Sequence, residues 1–145
     1  MPTVQANELR RIGTELLIGA GVSDEEATIV ASHCVGANLA GHDSHGIIQI
    51  PTYINRITIG HIVPGAPVDV VRDTSTTTVL DGNWGFGQLS ADRAIKLCIK
   101  KALKKNIACV TLKKSNHVGR LSDFTSQAAK TNLIPLLAAA ITALS

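Results

Sequence analysis

Aromatic side chains are scarce: one Trp, one Tyr and two Phe make up 3% of the chain, so its interior must be built from Ile, Leu, Val and Ala. No apolar run reaches the roughly 20 residues that a membrane-spanning helix needs. The longest, Leu133 to Leu144, is interrupted by Thr142 and carries Pro135, so the expectation is a soluble protein with no membrane partner. Cysteine is limited to Cys34, Cys98 and Cys109, an odd number without CxxC spacing. With no secretory signal beside them, these read as reduced, mostly buried thiols of a cytoplasmic protein. Also absent are the GxGxxG fingerprint of a Rossmann fold, the GK[ST] of a P-loop and the HExxH of a zinc protease.

A strong charge of either sign is missing too, since the net charge is +3. Much of it sits in Lys96, Lys100, Lys101, Lys104 and Lys105, on one side of a predicted helix. A solvated helix face explains these lysines better than nucleic acid, which calls for a broader basic surface with stacking aromatics. What is present is globular in composition, 45% hydrophobic and 17% charged over 145 residues. That is enough chain for one domain with a real core and too little for two large ones.

Periodicity divides the chain near residue 66. Leu9, Ile12, Leu16 and Leu17 predict a helix that stops at Gly21. Ser23 and Glu26 form a capping-box pattern that opens a second, with Ala27, Val30, Cys34 and Leu39 facing the core. After the polar break at 42–46, Pro51 in a first turn starts a third helix with Tyr53, Ile54 and Ile57 on its apolar face, ended by Gly60. Beyond Pro67 the pattern changes to ββαβαβ. Val68 to Val71 and Thr76 to Leu80 form a hairpin. A glycine loop, Gly82 to Gly87, with Trp84 and Phe86 packed beneath, precedes a helix with Ala91, Ala94, Ile95, Cys98, Ala102 and Leu103 on one face. Ile107 to Leu112 is a buried strand, Ser122 to Lys130 a helix and Leu133 to Ala140 a last strand. The expected fold is α/β (α+β): a helical segment over 1–66, then a mixed sheet with crossover helices over 67–145. A last strand apolar on both sides normally has neighbours, so the sheet reads as truncated.

Three segments can carry chemistry. Asp43-Ser44-His45-Gly46 offers an imidazole that titrates near neutrality, a hydroxyl to hold a substrate oxygen and a glycine for close approach. Ser44 can equally cap a helix. Ser115-Asn116-His117-Val118-Gly119 follows a strand, where open α/β sheets gather ligands, and Asn116 can donate to a carbonyl or carboxylate. It can equally be an ordinary strand-to-helix turn. The glycine loop can cradle a phosphate or simply make a tight turn. A metal-dependent hydrolase built on His42, Asp43, His45 and His117 is a further alternative, weakened because adjacent residues do not easily reach one ion.

Together and in order, five stretches resemble the malate/L-lactate dehydrogenase family that is distinct from Rossmann-type enzymes. They are Ala37 to Gly46; Pro51 to Ile57 with Gly60; Leu80 to Gln88; Ser115 to Gly119; and Asn132 to Ile134. The resemblance implies a non-Rossmann, mixed-sheet nucleotide-binding fold. It further implies hydride transfer between NAD or NADP and a small 2-oxo or 2-hydroxy acid, usually in a homodimer. Under it His45 and His117 correspond to the proton-handling histidines, with Ser44 orienting the substrate and Tyr53 lining its pocket. Asn116 is a substrate-binding candidate. Gln49 stands where several members have an Arg for the substrate carboxylate, a charge that an amide does not supply. Gly119 is assigned to the cofactor, whose other contacts are expected beyond residue 145. Arg120 and Asp123 replace small or aromatic residues, and Pro135 a common glycine. The family's members are roughly twice this length, so the expectation is the N-terminal part of such an enzyme. The alternative is a catalytically inactive product acting at most as an interaction module.

Overall fold

The computed structural model describes residues 4–140. Three helices come first: α1 over Ala6–Gly19, α2 over Asp24–Leu39 and, after two single 3-10 turns at Asp43–His45 and Ile47–Gln49, α3 over Ile50–Thr58. Then follow strands β1 (Asp69–Asp73) and β2 (Thr77–Asp81), helix α4 (Gly87–Lys105), strand β3 (Cys109–Lys113) and helix α5 (Ser122–Ala129). The order is that read from the pattern of apolar residues, up to α5.

Local chemistry explains most boundaries. Gly21 takes φ +89° and turns the chain out of α1. The Ser23 hydroxyl accepts the Glu26 amide N–H at 3.3 Å. The capping box is only half formed, however, because the Glu26 carboxylate leaves the helix end and accepts the Gly65 amide at 2.8 Å. It ties the loop after α3 to the start of α2 instead. Pro51 sits in the first turn of α3, and Asn106 closes α4 in the left-handed region at φ +66°.

One apolar cluster holds the first half together: Leu17, Val22, Ala27, Val30, Cys34, Ile50, Tyr53, Ile62 and Phe86. Phe86 carries the glycine loop into the helical core, with its ring edge-on to Tyr53 at 6.1 Å. Residues on both sides of position 66 therefore share one interior.

The sheet has the order β1-β2-β3. β1 and β2 pair antiparallel, with Val70 opposite Leu80 and a bulge between Val70 and Arg72. β2 and β3 run parallel, from Thr77 opposite Cys109 to Asp81 opposite Lys113, and α4 makes the crossover between them. Both parallel strands thus end at the same edge, and the two loops that leave them, 82–86 and 114–119, start side by side. Gly82 N–H and Trp84 N–H donate to the carbonyls of Lys113 and Lys114, at 2.9 and 2.8 Å.

Several expectations are corrected. Leu39, Leu103 and Trp84 are exposed rather than packed inward, because helical or loop spacing fixes a direction but not a neighbour to meet it. β3 is not a buried strand: it starts at Cys109, alternates between exposed and half-buried, and leaves Ile107 in solvent. Of the three thiols only Cys34 is buried; Cys109 is exposed. Lys101 leaves the solvated lysine face, its ammonium 2.7 Å from Asp73 and its side chain only 11% exposed. Residues Leu133 to Ala140 form no strand, since no described strand lies beside them to pair with; Ile134 and Leu136 stand fully in solvent. The remainder of that apolar run lies outside the described residues. Among the described residues no helix is long and apolar enough to cross a membrane.

Candidate active site

The turn that carries His45 is shaped by an asparagine on the preceding helix. Asn38, near the end of α2, donates from its amide nitrogen to Asp43 Oδ1 at 2.6 Å and accepts the Ile47 N–H on its oxygen at 2.9 Å. Both partners flank His45, so the turn is clamped at each end. A side chain at Gly46 would sit 2.3–2.5 Å from the Asn38 amide, which is why the clamp needs glycine there. Within the turn Ser44 Oγ lies 3.0 Å from His45 Nδ1, and among the described residues the Nε2 edge of the ring has no hydrogen-bond partner. Gln49, expected at the substrate, donates its side-chain N–H to the Ser44 carbonyl at 2.7 Å and so braces the same turn.

His117 arrives on the loop that leaves β3. Ser115 Oγ lies 2.9 Å from Ser90 Oγ on α4. The Asn116 amide nitrogen reaches the carbonyls of Trp84, Gly85 and His61 at 2.7, 3.1 and 3.0 Å. Asn116 is therefore a staple between loops, its donors taken up by backbone rather than by a ligand. Gly87 lets the helix start come close: a Cβ there would meet the carbonyl oxygens of Asn116 and His117 at 2.2 and 2.4 Å.

These two supports bring the expected histidines together. The rings of His45 and His117 have centroids 5.3 Å apart and are tilted by 33°. Tyr53, buried on α3, places its hydroxyl 2.8 Å from His117 Nδ1. Behind it Gln88 donates from Nε2 to the Tyr53 hydroxyl at 2.9 Å. Burial drives His117 below the ordinary imidazole value, and facing His45 and the Arg56 guanidinium add to the shift. Burial likewise raises the Tyr53 phenol well above its usual range and pushes the Cys34 thiol up to about 12. Tyr53 is thus a fixed hydroxyl, and His117 a neutral imidazole at neutral pH.

Two contributors escaped the sequence reading. Asn38 and Gln88 fall within the stretches Ala37 to Gly46 and Leu80 to Gln88, and neither is among the site residues expected from the sequence. The signal each offered is a polar side chain on a helix face otherwise directed inward: Asn38 four residues after Cys34, Gln88 between buried Phe86 and Ser90.

His42, Asp43, His45 and His117 do not converge as a ligand set; among the described residues no three His, Cys, Asp or Glu groups could share a metal ion. The hydrolase alternative loses its basis. The glycine loop also does not fit the phosphates of a dinucleotide. The glycine loop is filled by its own surroundings, a Cβ at Gly82 meeting the Lys114 carbonyl at 2.9 Å and one at Gly85 meeting Ala66 at 3.1 Å. Gly119 takes φ +78° and turns the chain past the Gln88 side chain, which accounts for a glycine there. Two surface cavities, of about 480 and 210 Å³, lie along α4 around Leu97 and Lys100 and include none of the expected site residues.

The sequence model of the malate/L-lactate dehydrogenase family matches residues 4–144. Hydroxycarboxylate dehydrogenase B of Escherichia coli K12 is 39% identical over 116 residues, covering 80% of this chain and 32% of that protein. L-sulfolactate dehydrogenase of Methanocaldococcus jannaschii is 33% identical over 125 residues, covering 86% and 36%. The structure of malate dehydrogenase from Pyrococcus horikoshii superposes with a TM-score of 0.85 at 32% identity, covering 90% of this chain and 37% of that one. The chain spans about a third of the length of the relatives it matches.

Proposed function

The chain belongs to the malate/L-lactate dehydrogenase family, and from that premise we propose that it serves an oxidoreductase acting on small 2-oxo and 2-hydroxy acids. In that reading it contributes the proton-handling half of the site. The observation that carries the reading is the pair His45 and His117, brought from two separate loops to 5.3 Å, each with its Nδ1 against a hydroxyl and no hydrogen-bond partner on Nε2 among the described residues. Reduction of a 2-oxo acid adds a hydride to the carbonyl carbon and a proton to the carbonyl oxygen. The hydride would come from a nicotinamide cofactor, NAD or NADP, whose phosphates the filled glycine loop at 82–87 does not cradle.

His45 is the acid/base: its Nδ1 is oriented by Ser44 and its Nε2 is left to exchange a proton with the substrate oxygen. His117, kept neutral, donates a hydrogen bond to the same oxygen and stabilises the charge that grows on it during hydride arrival. Tyr53 borders the pocket and holds His117. Residues 1–66 thus supply His45 and Tyr53 while residues 67–145 supply His117. The substrate is a small-molecule 2-hydroxy or 2-oxo acid of the kind named by the relatives, hydroxycarboxylates, malate and sulfolactate, and the assembly is a homodimer, as the resemblance implies.

The test uses the purified chain, shown folded by circular dichroism. NADH and NADPH are titrated while nicotinamide fluorescence is followed, then 2-oxo acids are screened for cofactor oxidation. Saturable binding with turnover that His45→Ala abolishes is the expected result. A folded chain that binds neither cofactor and oxidises neither with any 2-oxo acid overturns the reading for this protein.

A further inference from the structure

Gln88 is 1% exposed and reaches Tyr53 from the first turn of α4, thirty-five residues along the chain. Its Nε2 donates to the Tyr53 oxygen at 2.9 Å, and that oxygen lies 2.8 Å from His117 Nδ1. With Gln88 donating to it, the Tyr53 hydroxyl keeps its own proton to give. His117 Nδ1 is the acceptor within hydrogen-bond reach among the described residues, so the arrangement that satisfies both groups has Tyr53 donating to Nδ1. An imidazole that accepts on Nδ1 carries its proton on Nε2. The other amide atom, Gln88 Oε1, is buried without a hydrogen-bond partner among the described residues. Turning the amide over would not relieve this. It would leave both N–H groups unpartnered in place of one N–H and the carbonyl, and buried orphan N–H groups are rarer than orphan carbonyls.

We propose that Gln88 is a positioning residue that sets the tautomer of His117 through Tyr53, so that the ring presents an Nε2–H donor rather than a bare Nε2 acceptor to the pocket. The catalytic meaning of this relay rests on the proposed function, where a donor is what a developing alkoxide requires; the relay itself does not. Substrate oxygen would meet a hydrogen bond from His117, while proton exchange falls to His45. The charged and titratable groups around the relay are His45 facing His117, Arg56 from α3, and Cys34 from α2 beside the Tyr53 hydroxyl.

A long-range proton–nitrogen correlation spectrum of the isotope-labelled chain reads the tautomer of each of its five histidines, the His117 signals being those lost in His117→Asn. In the wild-type chain His117 should show a pyridine-type Nδ1 and a pyrrole-type Nε2. Gln88→Glu replaces the donor by a group that, once ionised, only accepts. Tyr53 then donates to the carboxylate and accepts from His117, and the two nitrogen types exchange places. That exchange should vanish when Tyr53→Phe is added, because a through-space charge effect would survive the loss of the hydroxyl. If the buried carboxylate prevents folding, Gln88→Leu keeps the volume, frees Tyr53 to reverse its bond, and should average the His117 nitrogen shifts between the two tautomers. A wild-type Nδ1–H, an exchange that persists without the Tyr53 hydroxyl, or tautomer signals unmoved by any folded Gln88 variant overturns the proposal. The spectrum needs neither cofactor nor substrate. A chain that shows the relay yet reduces no 2-oxo acid would keep the assignment and lose only the functional reading.

Discussion

Protonating His117 means placing charge on a half-buried ring that faces His45 and lies near Arg56, and every one of those neighbours opposes it. The unfolded chain has no such surroundings, so its His117 titrates near the ordinary value of about 6.5. With the folded value below the unfolded one, the unfolded state binds more protons between the two. Stability therefore rises with pH across that window and is lost as pH falls through it. Urea unfolding measured from neutral pH downward should show the midpoint dropping below about pH 6.5, and His117→Phe should flatten that part of the curve. An unchanged slope in the variant would mean that another histidine carries the effect. Also at the scale of one residue, Gly87→Ala places a Cβ 2.2 Å from the Asn116 carbonyl. Backbone oxygen on a loop already stapled at Asn116 cannot yield cheaply, so destabilisation of about 3 kcal/mol is expected in denaturant unfolding. The His45–His117 contact should loosen with it.

Helix ends and helix interiors respond by smaller, separable amounts. Gly36 lies within α2 with nothing within 4 Å of the place a Cβ would occupy, so Gly36→Ala should stabilise the chain by about 1 kcal/mol. Ser23→Ala removes the acceptor for the Glu26 amide and should cost about 1 kcal/mol. Thermal melts of the two variants and of their combination check the signs together. Elements like these are what the amino-acid order made readable: Ser23, Pro51, Gly21 and Asn106 act within a few residues of themselves, and the helices they bound came out where the spacing put them. The site was legible in a different way. Apolar periodicity says nothing about His45 meeting His117; that expectation rested on a resemblance, and the structure brings the pair together through Asn38 and Asn116. The parts that stayed hidden, Gln88 under Tyr53 and Glu26 on Gly65, are contacts thirty-five and thirty-nine residues apart whose partners no local pattern names. Leu39 and Leu103 failed for the same reason in reverse: each has the right spacing, and no element among the described residues covers it.

Across the molecule, the large apolar side chains most fully left in solvent among the described residues are Ile134 and Leu136 after α5 and Ile107 just before β3. β2 occupies the middle of the order β1-β2-β3, so β3 keeps one edge of backbone donors and acceptors without a partner strand among the described residues. Residues 133–140 run on without regular structure, with Ile134 and Leu136 wholly exposed and Ile107 largely so. An open strand edge and exposed apolar side chains each favour association with another chain, and residues 133–140 carry no charge to oppose it. Sedimentation velocity should therefore show association that grows with protein concentration. Replacing both Ile134 and Leu136 by Lys puts two like charges on the segment and removes two exposed apolar side chains, so the weight-average mass should fall toward that of one chain. Because neither side chain touches the core, the melting temperature extrapolated to low concentration should stay where it was. Association that persists undiminished in the double variant would place the contact elsewhere, with the exposed Val70 and Val71 of β1 the next surface to change.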